Sequence, residues 1–518
     1  MEKRYLLGID SGTSGCKLTV FDLAGQVRAT ATGSYQTDYA RPGYAEQDAN
    51  EWWRVICREI QGLIRAQGID PASIAGIGTA GISWVCLPVD QKGRPLRKAM
   101  IWLDRRAEPQ AARMRESCGT ERLIGVSGNP VDPAYITPKI LWVREHEPEI
   151  YRQAFKFLQS NAYIAYQLTG EYSQDYSQGY GFHFFNMAQG AWDENVAAEL
   201  EISLDLMAPL FHCHEVVGTV TPRAAAETGL IPGIPVVAGG LDAACCTLGA
   251  GVIRPGQTQE QGGQAGGMSI LVNRPLAHPR LILGYHVIPD LWLLQGGSVG
   301  GGGTLKWFDQ ELGHYERQIA QAEARSPFAV MSQEAAAVKP GCDGLVFLPY
   351  LAGERSPLWD SEARGVFFGL SYDKTRAHLI RAMMEGVAFS LQHNLQTAAE
   401  VEAEVKELVS VGGASNSELW TQLKADVTGK PIHVPFSDHA TTLGAAILAG
   451  VGTGVYPDFA TAVGETVQIR RTHQPDPQRH AVYQKYYQIY RDLYPALREC
   501  FGRLADLTLR THLSSNLP

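Results

Sequence analysis

Two aspartates lie where apolar strands give way to tight turns, a place from which a carboxylate can reach a ligand. The first, Asp10, follows the predicted strand Arg4 to Ile9 and opens the turn Asp10-Ser11-Gly12-Thr13-Ser14-Gly15, with Lys17 just beyond it. Backbone N–H groups and hydroxyls in such a turn can hold phosphate, and Lys17 can add a point charge. The pattern indicates a phosphate cradle, although an ordinary glycine-rich hairpin turn that begins with Asp explains it as well.

Two common nucleotide motifs do not fit this first turn. A Walker A loop places G-K-[ST] at the start of a helix, whereas the strand Cys16 to Phe21 is predicted to follow here. No G-x-G-x-x-G occurs in the turn, which disfavours a Rossmann dinucleotide site.

The second aspartate, Asp242, follows the predicted strand Ile234 to Ala238 and begins a predicted helix of small residues, Ala243 to Gly251. Helix N-termini favour negative charge, so Asp242 could serve only to cap the helix. A carboxylate there could also accept the proton of a substrate hydroxyl, as an Asp does in kinases. The residues alone leave both interpretations open.

A further glycine-rich turn, Gly412-Gly413-Ala414-Ser415-Asn416, lies between the predicted strand Val409 to Gly413 and the predicted helix Glu418 to Thr428. Glycines let a ligand approach the backbone closely, and the helix N-terminus favours an anion. The small residues Thr441 to Ala446 could form a facing wall, with a nucleotide between the two segments. Close helix packing explains such segments equally well.

These turns need a scaffold, and the hydrophobic pattern predicts one of α/β type. A β meander opens the chain, and Asp48 caps a predicted amphipathic helix that continues to residue 67. We further expect a strand at Ile74 to Thr79, a hairpin-like pair formed by Val85 to Val89 and Ala99 to Leu103, a helix at Ala107 to Cys118 and a terminal helix at Tyr483 to Arg503. A new pattern of strands and helices begins near residue 253, where we place a domain boundary.

Composition narrows the class of protein. A chain of 518 residues predicts two or three domains, and a formal net charge of -9 disfavours a nucleic-acid partner. The nine cysteines are scattered, which is typical of a reducing compartment. The N-terminal apolar run is too short for a signal peptide, and no stretch is long enough to span a membrane. We therefore expect a cytoplasmic protein without a membrane partner.

Two composite motifs carry a resemblance to a known family. Gly365-Val366-Phe367-Phe368-Gly369-Leu370, then His378-Leu379 and Ala382-Met383-Met384-Glu385, fit the second signature of the FGGY carbohydrate kinases in order and spacing. Lys139 to His146 fits the second half of the first signature, while Ile136 stands where a small residue or proline is usual. Over about residues 4 to 460 the chain resembles this family, and within it the xylulokinase branch.

The resemblance implies an α/β fold of two actin-like (ribonuclease H-like) domains around a central cleft. We expect residues 1–252 to form the sugar-binding N-terminal domain and residues 253–518 to form the ATP-binding C-terminal domain. The expected partners are a small sugar and ATP, the expected cofactors are ATP and Mg²⁺, and the sequence leaves a homodimer open.

Roles carry over by motif position. Asp10 is expected to hold Mg²⁺ through water, and Asp242 is expected to act as the general base and to lie beside the same metal. Together with the first turn, the resemblance implies an ATP site of Thr13, Ser14, Lys17, Gly263, Gln264, Gly412, Gly413 and Asn416. The implied sugar site consists of Trp84, Trp102, Asp104 and Asp242.

Three departures from the family pattern bear on activity and substrate. Gly263-Gln264-Ala265 replaces a hydroxyl-bearing phosphate loop, Ala243 replaces an amide that touches the sugar, and Gly81-Ile82-Ser83-Trp84 replaces Met-His-Gly. We expect an ATP-dependent kinase acting on the terminal hydroxyl of a small ketose, with D-xylulose the best single choice. The alternatives are a kinase for another pentulose, a polyol or gluconate, an actin-like sugar-binding regulator without transfer activity, and a glycosidase that uses Asp10 and Asp242.

Overall fold

A computed structural model describes residues 3–514 of the chain. Its α-helices are Ala49–Gln67, Glu108–Met114, Thr120–Ser127, Ile136–His146, Pro148–Gln153, Ser160–Thr169, Glu194–Glu199, Pro222–Thr228, Asp242–Gly249, Gly302–Leu312, His314–Ala322, Pro327–Ala336, Arg376–Ala399, Glu418–Thr428, Ala440–Gly452, Phe459–Thr466 and Pro477–Ser514. None of the helices within the described range is long and apolar enough to cross a membrane.

The strands of three or more residues are Tyr5–Ser11, Gly15–Asp22, Val27–Ser34, Ile74–Gly81, Leu87–Val89, Lys156–Leu158, Val216–Thr219, Pro235–Val237, Gln257–Gly262, Gly266–Val272, Ile282–Tyr285, Trp292–Ser298, Val346–Leu348, Val366–Phe368, Glu407–Val411, Ile432–Pro435 and Ile469–His473. Two-residue strands lie at Glu46–Gln47, Ala99–Met100, Gln174–Asp175, Phe185–Asn186, Ala191–Trp192, Leu210–Phe211 and Gly240–Leu241.

The described residues form two compact units. The first contains residues 3–255, 271–294 and 439–468, and the second contains residues 256–270, 295–438 and 469–514. The segments 271–294 and 439–468 therefore belong to the first unit, although both follow residue 253. The division of the chain into domains at residue 253 stays a prediction.

A mixed sheet forms the centre of the first unit. Its main path runs from Val216–Thr219 through Pro235–Val237, Ile74–Gly81, Tyr5–Ser11 and Gly15–Asp22 to Val27–Ser34. The first three strands of the chain pair antiparallel, as the predicted meander requires, and Ile74–Gly81 runs parallel to Tyr5–Ser11. The short strand Gly240–Leu241 also runs parallel to Ile74–Gly81.

Two helices pack on this sheet. The sequence explains the bounds of the first by its capping residues and the close packing of the second by its small residues. The helix Ala49–Gln67 begins where the Asp48 side chain accepts a hydrogen bond from Asn50 N–H and ends at Gly68, as predicted. The helix Ala440–Gly452 lies so close to the strands that a Cβ at Gly8 would lie 2.0 Å from the carbonyl oxygen of Thr442. Small residues on both elements allow this approach.

The second unit has a mixed sheet of its own. In it Gly266–Val272 pairs antiparallel with Gln257–Gly262, which runs parallel to Glu407–Val411. Ile432–Pro435 continues the sheet in the parallel direction, and Ile469–His473 closes it antiparallel. With two mixed sheets and helices packed against them, the predicted α/β fold class is confirmed.

Three local predictions need correction. The hairpin-like pair forms only in part: antiparallel bridges join Cys86 to Met100 and Val89 to Pro95 around the turn at Asp90. The longer ladders of the two segments go elsewhere, since Leu87–Val89 pairs with Lys156–Leu158 and Ala99–Met100 pairs with Glu46–Gln47. The helix predicted at Ala107 to Cys118 changes to a π-helix over Arg115–Gly119, and the terminal helix begins earlier and ends later than predicted.

Candidate active site

Asp10 and Asp242 lie at one edge of the first unit's sheet, called here the carboxylate edge. Ala80 on the central strand pairs with Asp10 on one side and with Gly240 on the other. The strands are parallel, so their carboxyl ends meet at this edge, the usual ligand side of such a sheet. The backbone at Gly239 takes a φ of 74° and approaches so closely that a Cβ would lie 2.0 Å from the Thr79 carbonyl oxygen, so glycine is required before the turn to Asp242.

The electrostatics of the carboxylate edge favour a cation. Burial raises the pKa of Asp10, the negative charge of Asp242 raises it further, and Lys17 lowers it. Burial also raises the pKa of Asp242, while the N–H of Ala243, which donates to Asp242 Oδ1 at 2.7 Å, lowers it. One oxygen of Asp10, Oδ1, is buried and has no hydrogen-bond partner. Two half-buried carboxylates, one of them with a buried unsatisfied oxygen, form an arrangement that a divalent cation would stabilise.

Two side chains stabilise the turn after Asp10 by hydrogen bonds to it. Trp102 Nε1 donates to Thr13 Oγ1 at 3.0 Å, and the Tyr35 hydroxyl donates to the carbonyl oxygens of Gly12 and Gly15. Ser14 is exposed at the tip, and Lys17 lies opposite Asp10 in the strand register. The predicted ATP residues Thr13 and Ser14 thus lie on the turn that follows Asp10, and the third, Lys17, lies on the next strand, Gly15–Asp22.

The predicted sugar residue Trp84 belongs to an aromatic cluster that sequence reasoning missed. Its ring stacks on Tyr135 with 4.2 Å between centroids and lies 5.8 Å from the ring of Tyr180. The indole Nε1 is buried without a hydrogen-bond partner, and the backbone takes a φ of 56°, which is uncommon outside glycine. No local signal predicts this cluster, because its members come from three distant segments.

A buried lysine joins the two predicted sugar tryptophans. Lys139 Nζ donates to the carbonyl oxygen of Trp84 at 2.9 Å and to that of Ile101, the neighbour of Trp102, at 2.7 Å. Burial lowers the pKa of Lys139 to about 8, against the raising effect of Asp104. The motif containing Lys139 was noticed in the sequence, but its role as a link between two backbone segments was not.

Asp104, predicted to contact sugar, is fully buried. Its carboxylate accepts hydrogen bonds from the Arg106 guanidinium and from Ala45 N–H. These bonds fix the backbone beside Trp102, so the geometry favours a positioning role for Asp104. Direct contact between Asp104 and a sugar stays a prediction.

A polar network lies behind the turn that carries Asp242. The hydroxyl of Ser177 donates to Asp175 Oδ1 at 2.5 Å and accepts from Leu241 N–H at 2.8 Å. Asn161 and the backbone of Gln178 also donate to the Asp175 carboxylate. The residue before Asp242 is therefore tied to a buried and fully bonded carboxylate.

The second unit contains a cavity of about 540 Å³, called here the glycine cavity. It is lined by Gly262, Gly263, Gln264, Gly302, Gly303, Leu305, Lys306, Ser326, Phe328, Ala329, Ser332, Gly413, Ala414, Asn416, Ser417 and Trp420. Its volume lies within the range of about 300 to 1,000 Å³ that is usual for small-molecule sites. Four of the predicted ATP residues, Gly263, Gln264, Gly413 and Asn416, line it.

Two parallel strands explain why the glycine turns meet at this cavity. Gln257–Gly262 and Glu407–Val411 run side by side, and each leads into one glycine turn at its carboxyl end. Gly412, with a φ of 89°, lies so close to the other turn that a Cβ would be 3.0 Å from Gly262 carbonyl atoms. The helix Glu418–Thr428 starts there, capped by Ser417, whose side chain accepts from Trp420 N–H.

Gln264 lies at the start of another helix, Gly302–Leu312. The carbonyl oxygens of Gly263 and Gln264 accept from Gly302 N–H at 2.7 Å and Gly303 N–H at 2.9 Å. A Cβ on Gly303 would lie 2.4 Å from Gln264 Nε2, so the amide lies directly over the helix start. On the opposite turn, Asn416 Oδ1 accepts from Arg470 at 3.0 Å.

Sequence reasoning missed several lining residues of the glycine cavity. Lys306 supplies a cation, and Phe328 and Trp420 supply aromatic surface. A signal existed for Lys306 and Trp420, which lie within the first five residues of the two helices that begin at this cavity. No comparable signal marks Phe328, which comes from a separate helix.

Two family models match the chain, one over most of its N-terminal half and one over most of its C-terminal half. The model of the FGGY family of carbohydrate kinases, N-terminal domain, matches residues 5–249, and the model of the C-terminal domain of that family matches residues 268–453. A xylulose kinase of Staphylococcus epidermidis is 32% identical over 98% of this chain and 100% of its own length. A gluconokinase of Bacillus licheniformis is 29% identical over 97% of this chain and 98% of its own.

The fold of the chain is also similar to the crystal structure of a xylulose kinase. The crystal structure of xylulose kinase from Rhodospirillum rubrum is similar with a TM-score of 0.87 at 30% identity, covering 96% of this chain and 100% of that one. The sequence resemblance is confirmed over nearly the whole length. The chain belongs to the FGGY family of carbohydrate kinases, and it is a carbohydrate kinase.

Proposed function

We propose that this kinase transfers the terminal phosphoryl group of ATP to the terminal hydroxyl of a small ketose, with D-xylulose as the substrate and D-xylulose 5-phosphate as the product. The observation that carries the proposal is the carboxylate edge, where Asp10 and Asp242 lie half-buried at the ends of the two parallel strands on either side of Ile74–Gly81. Xylulose kinases among the relatives at about 30% identity support the choice of ketose.

Asp242 would act as the general base. It would accept the proton of the attacking hydroxyl as the oxygen bonds to phosphorus, and the bond from phosphorus to the ADP oxygen would break. The products are a sugar phosphate, ADP and one proton, so the reaction balances. The raised pKa of Asp242 makes it a stronger base than an ordinary carboxylate.

Asp10 would orient a hydrated Mg²⁺, with Asp242 beside the same ion. The unpartnered Oδ1 of Asp10 and the proximity of a second carboxylate fit such a group. Mg²⁺ is commonly held by one or two carboxylates together with water and substrate phosphates. When bound, it neutralises charge on the transferred phosphoryl group.

The ATP and sugar roles divide between the two units in this proposal. Thr13, Ser14 and Lys17 would hold the transferred phosphoryl group at the first turn. Gly263, Gln264, Gly413 and Asn416, which line the glycine cavity, and the neighbouring Gly412 would bind ATP in the second unit, with Phe328 and Trp420 as aromatic surface. Trp84 and Trp102 would face the sugar.

The charges near Trp84 and Trp102 favour a neutral sugar over an aldonate. Arg105 pairs with Asp132, Arg106 with Asp104, and Lys139 donates to two backbone carbonyls. A buried carboxylate of gluconate would need a cation that is not already paired. The aromatic cluster around Trp84 is suited instead to the apolar face of a neutral ketose.

The test is an ADP-release assay with D-xylulose, L-xylulose, D-ribulose, L-ribulose, gluconate and glycerol, each with Mg²⁺ and ATP. We expect D-xylulose to give the highest kcat/KM. Release measured without sugar provides the background. A higher kcat/KM for gluconate or glycerol than for every ketose would overturn the choice of substrate, and no sugar-dependent release with any of them would overturn the proposal.

A further inference from the structure

A buried ion pair lies behind the glycine cavity. Lys424 Nζ donates to Glu260 Oε1 at 2.6 Å, and the hydroxyl of Ser410 donates to the other carboxylate oxygen. The side chains of Lys424 and Glu260 are 2% and 4% exposed. Burying two charges carries a large desolvation penalty, and well-packed apolar residues often stabilise a fold as well as such a pair. The pair therefore calls for an explanation other than stability.

Each member of the trio lies within four residues of a residue that lines the cavity. Glu260 lies two residues before Gly262, and Ser410 lies opposite Glu260 in the strand register, two residues before Gly412. Lys424 lies one helical turn after Trp420, on the same face of the helix. The trio thus joins the two strands that end at the cavity to one of the two helices that begin there.

The contacts are close enough to transmit a displacement. A Cβ on Gly262 would lie 3.4 Å from Lys424 Nζ, so the ammonium group is directly behind that glycine. The same ammonium group lies 5.2 Å from the centre of the Trp420 ring, within the range of a cation–π interaction. The ammonium group of Lys424 therefore lies next to both Gly262 and the ring of Trp420.

We propose that Glu260, Ser410 and Lys424 form a positioning trio that sets the spacing between the two glycine turns and holds Trp420 against the nucleotide. None of the three lines the cavity, so they act through Gly262, Gly412 and Trp420. This inference rests on the proposed role of the glycine cavity as the nucleotide site.

The main variant removes both charges and keeps the volume: Glu260→Gln together with Lys424→Met. Removing only one partner would leave the other charge buried and unpaired, so the single changes are unsuited to the test. We expect the double variant to fold, and we expect the Kd for ADP and the KM for ATP to rise about tenfold, because small misplacements of binding groups have large effects. The KM for the sugar should stay within twofold of wild type.

A matched control comes from another buried ion pair in the same unit. Arg381 Nε donates to Glu385 Oε1 at 2.9 Å, their side chains are 7% and 2% exposed, and neither residue lines the cavity. Arg381→Met with Glu385→Gln should lower the thermal stability while leaving the Kd for ADP within twofold. Equal weakening of ADP binding in both double variants would indicate general loosening of the unit and would overturn the inference.

If the variant that combines Glu260→Gln with Lys424→Met does not fold, Ser410→Ala can test the inference in its place. It removes one hydrogen bond to Glu260 and leaves both charges paired, so we expect native circular dichroism and an ADP Kd raised about threefold. An ADP Kd unchanged in this variant, or in the folded double variant, would overturn the trio.

The variant Gly413→Leu places a side chain inside the glycine cavity. It distinguishes an error in the inference about the trio from an error in the proposed nucleotide site. Gly413 lines the cavity itself, and a Cβ there meets no atom within 4 Å. If wild type binds ADP and Gly413→Leu weakens it while the trio variants do not, the inference alone is wrong. If wild type does not bind ADP, or Gly413→Leu leaves binding unchanged, the proposed nucleotide site is wrong and the inference with it.

Discussion

The carboxylate edge and the glycine cavity use opposite physical means to form a site. At the carboxylate edge, two half-buried side chains are the proposed chemical groups: desolvation raises the pKa of Asp10 and Asp242, and Oδ1 of Asp10 has no partner. At the glycine cavity, missing side chains provide the space, and backbone groups at two turns and two helix starts line it.

The two regions should therefore respond differently to substitutions that keep the side-chain volume and to substitutions that add volume. A carboxylate can lose its function while its volume is kept, whereas a glycine loses its function when any volume is added. Both regions nevertheless lie at the carboxyl ends of parallel strands, where such sheets usually bind ligands.

The largest expected effect is at the carboxylate edge. Asp242→Asn keeps the side-chain size but removes the base, so turnover should fall by about 10² to 10⁴. The Kd for ADP, measured by titration calorimetry, should match wild type because the variant leaves the glycine cavity intact. Turnover within threefold of wild type would remove Asp242 from the mechanism.

Asp10→Ala is expected to lower turnover and raise the Mg²⁺ concentration needed for half-maximal rate. A lost metal-orienting carboxylate should reduce turnover roughly 10²-fold at a fixed Mg²⁺ concentration. The check is a Mg²⁺ titration at saturating ATP and sugar. An unchanged Mg²⁺ dependence with weaker sugar affinity would assign Asp10 to the sugar instead.

Gly413→Leu is the corresponding change at the glycine cavity, and it adds volume where Asp242→Asn removes a proton acceptor. The side chain should occupy space that the nucleotide needs and raise the KM for ATP about tenfold, equivalent to roughly 1.4 kcal/mol of binding. The KM for the sugar should stay within twofold. Gly464→Leu is a matched control, since its Cβ also meets no atom within 4 Å but lies in the first unit.

The smallest expected effect concerns sugar selectivity at the carboxylate edge. Ala243, next to Asp242, offers no side-chain amide, and Trp84 is mainly an apolar wall, so the best two pentuloses should differ in kcat/KM by roughly 10- to 200-fold. Ala243→Asn should widen that ratio. A wild-type ratio above about 10⁴, or an unchanged ratio in the variant, would contradict this account of the pocket.

The sequence predicted those parts of the site whose signals are local. The Asp48 cap and the meander around the turn after Asp10 follow from neighbouring residues, and the structure has both. Asp10, Asp242 and the turn at Gly412 were found because each follows an apolar strand, whereas Gly263 and Gln264 were found through the family resemblance; the roles of all of them stay predictions.

The remainder depends on contacts between distant segments. The stack of Trp84 on Tyr135, the bonds from Lys139 to two carbonyls, and the pair of Glu260 with Lys424 join residues about 40 to 160 positions apart. The expected hairpin-like pair is only partly formed for the same reason, because Leu87–Val89 forms its ladder with Lys156–Leu158. Periodicity within a short window carries no information about such partners.

The most direct test of the account is the identity of the product. Wild-type protein is incubated with D-xylulose, ATP and Mg²⁺, and the mixture is followed by proton-coupled ³¹P nuclear magnetic resonance. We predict a new phosphomonoester signal split into a triplet by two protons, as expected for phosphate on a terminal CH₂ group, growing together with ADP and absent with Asp242→Asn. Release of inorganic phosphate alone, or an equal triplet from Asp242→Asn, would contradict the account.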